Sequence, residues 1–398
     1  MTQKDLFIQP DVFSEELFEK MKVINVGIST LELYEFRYGL KEMVPKHGWN
    51  SVILDTPESI ETRVNSREYF DDIQIKPLKN GKVGLDDPII NLTRMLFVGL
   101  VTGKYSLEWV DNHFYFDIRC FFFLHRTQYF TKKVQAHFGG KPYRQFEKKQ
   151  QKFEKLHDLG YQAFREANSD LDGLFFECAE KLITARGMPI LFAIAGQTAA
   201  GKTEIVDRLR EEFEQRGLKV TSIELDNFLT DRDQREERGI HSEGKEALHY
   251  EMLRSCLKEI TRGKRIAIPR YDFIDGTSSH DLEGRLKPGR APVVIDPSEI
   301  IFIEGNFPFL IDEIAPLIGV KVVYLTDDPI RLKRKWKRDM DYRKKYDLNY
   351  FRNRYFKDQF IMAQVAYLPQ LEICDLAVDT TGAALWVTPE VKEILDRN

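Results

Sequence analysis

The sequence predicts an α/β fold: a mostly parallel sheet with helices on both faces over residues 187–398, behind a mostly helical α+β N-terminal domain over residues 1–186. Three observations predict it. Short apolar or β-branched runs alternate with longer helical stretches through the C-terminal half, the order that builds parallel strands with crossover helices. The eight residues Gly196–Thr203 read G-x-x-x-x-G-K-T between one such run and one such helical stretch. Gly187-Met188-Pro189 breaks regular structure immediately upstream and marks the domain junction.

The chain has 398 residues, enough for two or three cored domains. Hydrophobic residues at 42% and charged residues at 31% exclude a disordered or fibrous chain. A net charge of −4 gives no global attraction to nucleic acid or anionic membranes, so any basic site must be local. No apolar run approaches the ~20 residues of a membrane span, and the acidic N-terminus lacks a signal-peptide pattern. Cys120, Cys178, Cys256 and Cys374 are widely spaced, which excludes a zinc site or disulfide framework and suits a reducing compartment. The expected location is cytoplasmic.

In chain order, Val23–Ile28 and Ser51–Leu54 read as strands around a helical Leu31–Met43, which divides the N-terminal domain into an α/β part over 1–88 and a helical part over 89–186. Residues 90–135 are dense in Phe, Tyr and Leu, a pattern of core or of a homodimer surface. Residues 141–185 read as helical, with Phe146, Phe153, Leu156 and Leu159 at three- and four-residue spacing. No motif with chemistry falls in residues 1–186. Beyond the junction, strands are expected at 190–195, 219–225, 299–303, 320–325 and 374–378, and helices at 204–216, 246–261 and 329–345.

The chemistry gathers where strands end. In Gly196, Gln197, Thr198, Ala199, Ala200, Gly201, Lys202 and Thr203, glycines let the backbone fold around phosphates, so that N–H groups and a helix N-terminus face the anion. Lys202 would reach the outer phosphates and the Thr203 hydroxyl a Mg²⁺ ion. Ile300–Ile303 ends in Glu304, an oxygen donor suited to the same hard cation, with space left beside it by Gly305. Val220–Leu225 ends in Asp226, placed to accept a hydroxyl proton or to help hold the metal. Arg331-Leu332-Lys333-Arg334-Lys335-Trp336-Lys337-Arg338-Asp339 is a dense basic helix that would act as a lid over phosphates. No nucleic-acid motif or interleaved aromatic platform accompanies it.

With these residues in view, positions 188–382 resemble the phosphoribulokinase/uridine kinase family of P-loop kinases. The loop at Gly196–Thr203, Leu225-Asp226-Asn227-Phe228, Ile268-Pro269-Arg270-Tyr271-Asp272-Phe273, Glu304-Gly305 and Arg338-Asp339 follow in the family's order. The resemblance implies a nucleoside-kinase-like fold, Asp226 as base, Thr203 and Glu304 serving Mg²⁺, Arg334, Arg338 and Arg343 clamping phosphate, and Tyr271 lining the acceptor pocket. Three departures bear on substrate. Ser242-Glu243-Gly244-Lys245 stands where these enzymes place a ribose-gripping Asp, which gives that work to Glu243; Gly276 replaces a base-reading His; and Asp231-Arg232-Asp233-Gln234-Arg235 resembles a sugar-phosphate-binding segment, with Arg232 as its cation or as part of a solvated helix.

The expectation is a Mg²⁺- and ATP-dependent kinase acting on a hydroxyl of a nucleoside, sugar or sugar phosphate, with Asp226, Lys202, Arg334 and Arg338 carrying the chemistry. Its partners would be a small-molecule substrate and, at most, a second copy of the chain, with no membrane and no nucleic acid. The rival reading is a nucleotide-dependent switch whose N-terminal half binds a protein partner.

Overall fold

A computed structural model describes residues 10–24, 28–29, 31–65, 87–117, 122–147, 166, 168–240, 244–326, 331, 334–335, 338–339, 343 and 362–397. They belong to two compact units, one centred on Met1–Gln128, the other on Tyr161–Tyr346 with Tyr129–Gln151 and Met362–Asn398. The Gly187–Pro189 junction thus lies inside the second unit.

The first unit is built from helices Pro10–Ile24, Leu33–Leu40, Pro57–Val64, Asp87–Thr102 and Leu107–His113, and one antiparallel strand pair, Phe114–Asp117 with Phe122–His125. Of the strand expected at Val23–Ile28, residues 25–27 lie outside the described residues, while Val23 and Ile24 are helical and Ile28 is in a 3₁₀ turn; the strand expected at Ser51–Leu54 is corrected as well. Phe13, Leu17, Phe18 and Met21 recur at helical spacing and are buried, so their stripe carries the helix through Val23 and Ile24 despite the β-branched composition there. Ser51 closes a single 3₁₀ turn, where its hydroxyl donates to the Gly48 carbonyl at 2.7 Å. Val52–Leu54 joins no strand among the described residues. Within 90–135, the described aromatics Phe97, Tyr105, Phe114 and Phe116 resolve as core, and Phe97 stacks on Phe116 at 5.7 Å.

The second unit holds a seven-stranded sheet: β1 (Arg144–Gln145), β2 (Ile190–Gly196), β3 (Val220–Glu224), β4 (Ile300–Gly305), β5 (Val320–Leu325), β6 (Leu376–Asp379) and β7 (Ala384–Val387). Their spatial order is β1-β7-β6-β5-β2-β4-β3. The five strands from β6 to β3 are parallel, while β7 and β1 extend the edge antiparallel. All five strands expected from the sequence are present. Residues 144–145, expected to be helical, instead pair with β7, since Arg144 and Gln145 lie opposite Leu385 and Ala384. Residues 148–165, including Phe153, Leu156 and Leu159, lie outside the described residues.

Alternate side chains of the central strands enter two separate cores. Phe192, Ile194, Phe302, Val322 and Tyr324 pack on one face with helices α1 (Ser169–Arg186) and α2 (Lys202–Gln215). Leu191, Ala193, Ile301, Ile303 and Val323 pack on the other with α3 (Tyr250–Ile260). Strands buried on both faces read as unbroken apolar runs, which is why these were legible. This layering aligns the carboxyl ends of β2, β3 and β4, where an open α/β sheet binds ligands.

Candidate active site

The loop after β2 takes the shape its sequence requires. Ala199 and Gly201 have positive φ, 64° and 102°, and Gly201 is the N-cap of α2. A Cβ on Gly196 would lie 2.4 Å from the Tyr324 carbonyl oxygen on β5, so only glycine fits between these strands. Ile205, Val206, Leu209 and Phe213 seat α2 on the sheet and aim its N-terminus at the strand ends. The Lys202 ammonium donates to the carbonyls of Gly196 and Gln197 at 2.9 and 3.0 Å, with Asn306 Oδ1 at 3.4 Å.

Across the β2–β4 boundary the Thr203 hydroxyl donates to Glu304 Oε2 at 3.0 Å. Burial pushes the Glu304 carboxyl up to about 7 against the pull of Lys202 and Thr203, and Glu224 and Asp226 push the same way. Burial in turn lowers the Lys202 ammonium; Glu304 and Asp226 counter this, and Arg338 and Arg331 add to it. Lys202, Glu304, Asp226 and two cations of the basic segment thus act on one small volume. Asp226 itself sits in the 3₁₀ turn Leu225–Phe228 directly after β3, half-buried, and its carboxylate makes no hydrogen bond among the described residues. The space that Gly305 leaves is filled by Leu225: a Cβ on Gly305 would lie 2.6 Å from its Cδ1. The expected opening beside Glu304 at that position is therefore corrected to a packing contact.

A hydroxyl and a single buried carboxylate are hard oxygen donors, and no group of three or more acidic, His or Cys side chains forms a metal cage among the described residues. That set fits Mg²⁺, which typically takes one or two protein oxygens and completes its shell with phosphates and water.

In the basic segment Arg331, Arg334, Lys335, Arg338 and Asp339 are helical. Asp339 is fully buried; burial would raise its carboxyl, but Lys335 at 2.6 Å, Arg343 at 3.2 Å and Arg338 hold it below the usual range. Burial lowers Arg334, opposed by Glu204 and Tyr324. Arg331, 2% exposed, was not singled out by the sequence, since nothing distinguishes it from its basic neighbours.

The Tyr271–Asp272 and Thr277–Ser278 strand pair stands beside Asp226, because Asn227 Oδ1 accepts from the Tyr271 backbone N–H at 3.3 Å. Arg235, 6% exposed, donates to the Tyr271 hydroxyl at 3.1 Å and to the Thr230 carbonyl. Arg232 donates to the Phe273 carbonyl at 3.1 Å, and a Cβ on Gly276 would meet its guanidinium at 2.5 Å. Arg232 therefore closes the turn that Gly276 opens. A cavity of about 830 Å³ borders this turn, lined by Arg270, Tyr271, Phe273, Arg290, Arg338 and Arg343 among others. The sequence had signalled Arg270 only by its place next to Tyr271, and Arg290 not at all. Glu243 lies outside the described residues.

Parallel sheet, phosphate loop and acidic strand ends together define a P-loop kinase fold. The chain belongs to the phosphoribulokinase/uridine kinase family, whose model matches residues 191–381. It is similar to a uridine kinase of Brevibacillus brevis, 31% identical over 39% of this chain and 69% of that protein. It is also similar to uridine kinase-like protein 4 of Arabidopsis thaliana, 28% identical over 38% of this chain but only 30% of that protein's length. Among solved structures, one described as a possible uridine kinase from Bacillus stearothermophilus is 19% identical with a TM-score of 0.38, over 53% of this chain and 98% of that one. No helix among the described residues is long and apolar enough to cross a membrane.

Proposed function

We propose that the second unit transfers the γ-phosphoryl group of Mg²⁺-ATP to a hydroxyl of a small molecule, a nucleoside, sugar or sugar phosphate. The observation that carries this reading is the convergence of Lys202, Thr203, Glu304 and Asp226 at adjoining strand ends, with Arg338 of the basic segment bearing electrostatically on Lys202, next to a cavity large enough for a metabolite. In it, the loop Gly196–Thr203 cradles the phosphates and Lys202 leaves its two carbonyl partners for them. Thr203 and Glu304 hold Mg²⁺, which when bound neutralises charge on the phosphates.

Asp226, whose carboxylate makes no hydrogen bond among the described residues, orients the acceptor hydroxyl and takes its proton as the new O–P bond forms and the bond to the ADP oxygen breaks. Arg338 and Arg334 stabilise charge on the migrating group. A loose transition state makes positioning the larger contribution and base catalysis the smaller. Tyr271, its hydroxyl fixed by Arg235, forms one wall of the acceptor pocket.

The experiment is acceptor-stimulated ADP release by the full chain over a panel of nucleosides, sugars and sugar phosphates, with Asp226→Asn beside it. The reading expects a rate that depends on acceptor and falls by about 10²–10⁴ in Asp226→Asn, with nucleotide affinity retained. Slow hydrolysis indifferent to every acceptor, or full turnover in the variant, would refute it.

A further inference from the structure

The described lining of the cavity beside Tyr271 is unbalanced in charge. Arg270, Arg290, Arg338 and Arg343 all line it, and Asp272 is the sole acid among its described lining residues. That carboxylate is already engaged: Asp272 Oδ1 accepts from the backbone N–H groups of Ile274 at 2.8 Å and Asp275 at 3.2 Å, where it holds the turn together. Arg343 faces Asp339 at 3.2 Å and lies over the Phe273 ring at 4.2 Å, which fixes one wall. Arg338 Nε is buried without a hydrogen bond among the described residues, with Asp339 Oδ1 3.9 Å away. Arg270 and Arg290 are exposed to the opening and form no ion pair among the described residues. The cavity adjoins the Asp226 turn, since its lining residue Tyr271 donates its backbone N–H to Asn227 Oδ1 at 3.3 Å, and Arg338 bears electrostatically on Lys202.

We propose that this cavity takes an acceptor alcohol carrying an oxyanion, a phosphate monoester or a carboxylate, gripped by Arg270 and Arg290. The inference rests on the kinase reading above and narrows its substrate class. Arg343 and Arg338 share the Asp339 carboxylate, but Arg270 and Arg290, with no ion pair among the described residues, suit a ligand that brings its own negative charge, because planar forks bind oxyanions through paired, charge-assisted hydrogen bonds. A neutral nucleoside has no group to meet them. Gly276 also offers no side chain to read a base edge, and the Arg232 guanidinium occupies the space where one would begin.

The test uses the full chain saturated with a non-hydrolysable ATP analogue and Mg²⁺, so that the phosphate loop is filled. Inorganic phosphate, ribose 5-phosphate, ribonate and ribose are then titrated calorimetrically. The anions are expected to bind and ribose not. The double variant Arg270→Ala/Arg290→Ala should weaken anion binding about tenfold or more, with the nucleotide affinity retained. Both side chains are exposed, so the fold should tolerate the change, and Arg270→Lys/Arg290→Lys should recover part of the loss. Tighter binding of ribose 5-phosphate than of ribonate assigns the monoester, and the reverse order the carboxylate.

The inference is overturned if ribose binds as tightly as the anions, if the double variant binds anions unchanged, or if the nucleotide-loaded protein binds no anion. Loss of the kinase reading has a separate signature, failure to bind the nucleotide analogue at all, and takes this inference with it.

Discussion

The two units of the chain are packed alike and charged differently. Each has an apolar core dense in aromatic rings. Among the described residues of the first unit, however, the buried polar side chains are Ser14, Thr93 and His125, with no buried acid or lysine or arginine. The second unit buries Asp172, Arg235, Glu304, Arg331, Lys335 and Asp339. Taking a charge out of water costs several kcal/mol unless partners replace the lost hydration. Asp172 pairs with Arg208, and Arg235 bonds Thr230 and Tyr271, but Glu304 and the buried charges of the basic segment mark the region where charge must be handled. The basic segment and the ends of β2, β3 and β4 are that region.

The difference predicts where single substitutions act, and the largest effect tests the first unit. Phe97, fully buried against Trp49 and Phe116, should cost about 3–5 kcal/mol when changed to Ala, read by denaturant unfolding. Because its role is packing alone, the nucleotide-induced rise in melting temperature should survive; if that rise vanishes, the contrast between the units is too sharp. Asp339→Asn tests the second unit. It removes the carboxylate charge 2.6 Å from Lys335, itself 4% exposed, and should cost about 3 kcal/mol, at the lower end for a broken buried pair because Asn keeps an acceptor oxygen. Lys335→Met on the same background should restore part of the loss. A neutral effect of Asp339→Asn would mean that buried charge here is incidental.

What was legible in advance follows the same division. The central strands and the loop were readable because strands buried on both faces are continuous apolar runs, and because phosphate cradling admits few residue types at fixed spacing; the edge strand Val220–Glu224, with only Ile223 buried, showed instead through its β-branched residues. The first unit was misread where composition and period disagreed: Val23 and Ile24 favour strands, but the Phe13, Leu17 and Met21 stripe decided for helix. Residue types show what a site needs, while fit depends on distant neighbours. Gly305 accommodates Leu225 and Gly276 accommodates Arg232, contacts made across 80 and 44 positions of sequence. Arg270 and Arg290 look like ordinary surface cations until the cavity they share is seen.

A smaller effect separates stability from function at Glu304. Burial makes its charged form costly, so Glu304→Gln should leave the melting temperature of the ligand-free protein unchanged or higher. The same change removes the acid proposed for Mg²⁺, and the Mg²⁺-dependent part of nucleotide affinity should fall about tenfold, a penalty of about 1.4 kcal/mol. Chelation by EDTA should bring the wild-type protein to the same affinity as the variant. Equal Mg²⁺ dependence in both proteins would remove Glu304 from the metal site.

A last effect concerns the support beneath the acceptor turn, where burial of polar groups has a pH signature. His249 is 6% exposed, and its Nε2 lies 3.1 Å from Ser278 Oγ. Burial, then the neighbouring His280, lowers its pKa from 6.5 to about 4; Asp231 and Asp281 oppose the shift and Lys287 adds to it. A histidine whose folded pKa is depressed stays neutral in the native state while the unfolded chain takes up a proton. Its contribution to stability is therefore complete above pH 6.5 and declines as pH falls from about 6.5 towards 4, by at most about 1.4 kcal/mol per pH unit. His280, lowered mainly by burial, acts in the same direction. Unfolding free energies at pH 7.5 and pH 5 should thus differ less in His249→Gln, which keeps a hydrogen-bonding group near Ser278 but cannot titrate. An unchanged difference would show that the acid sensitivity of this turn arises from other groups, and that His249 belongs with the inert polar residues of the first unit.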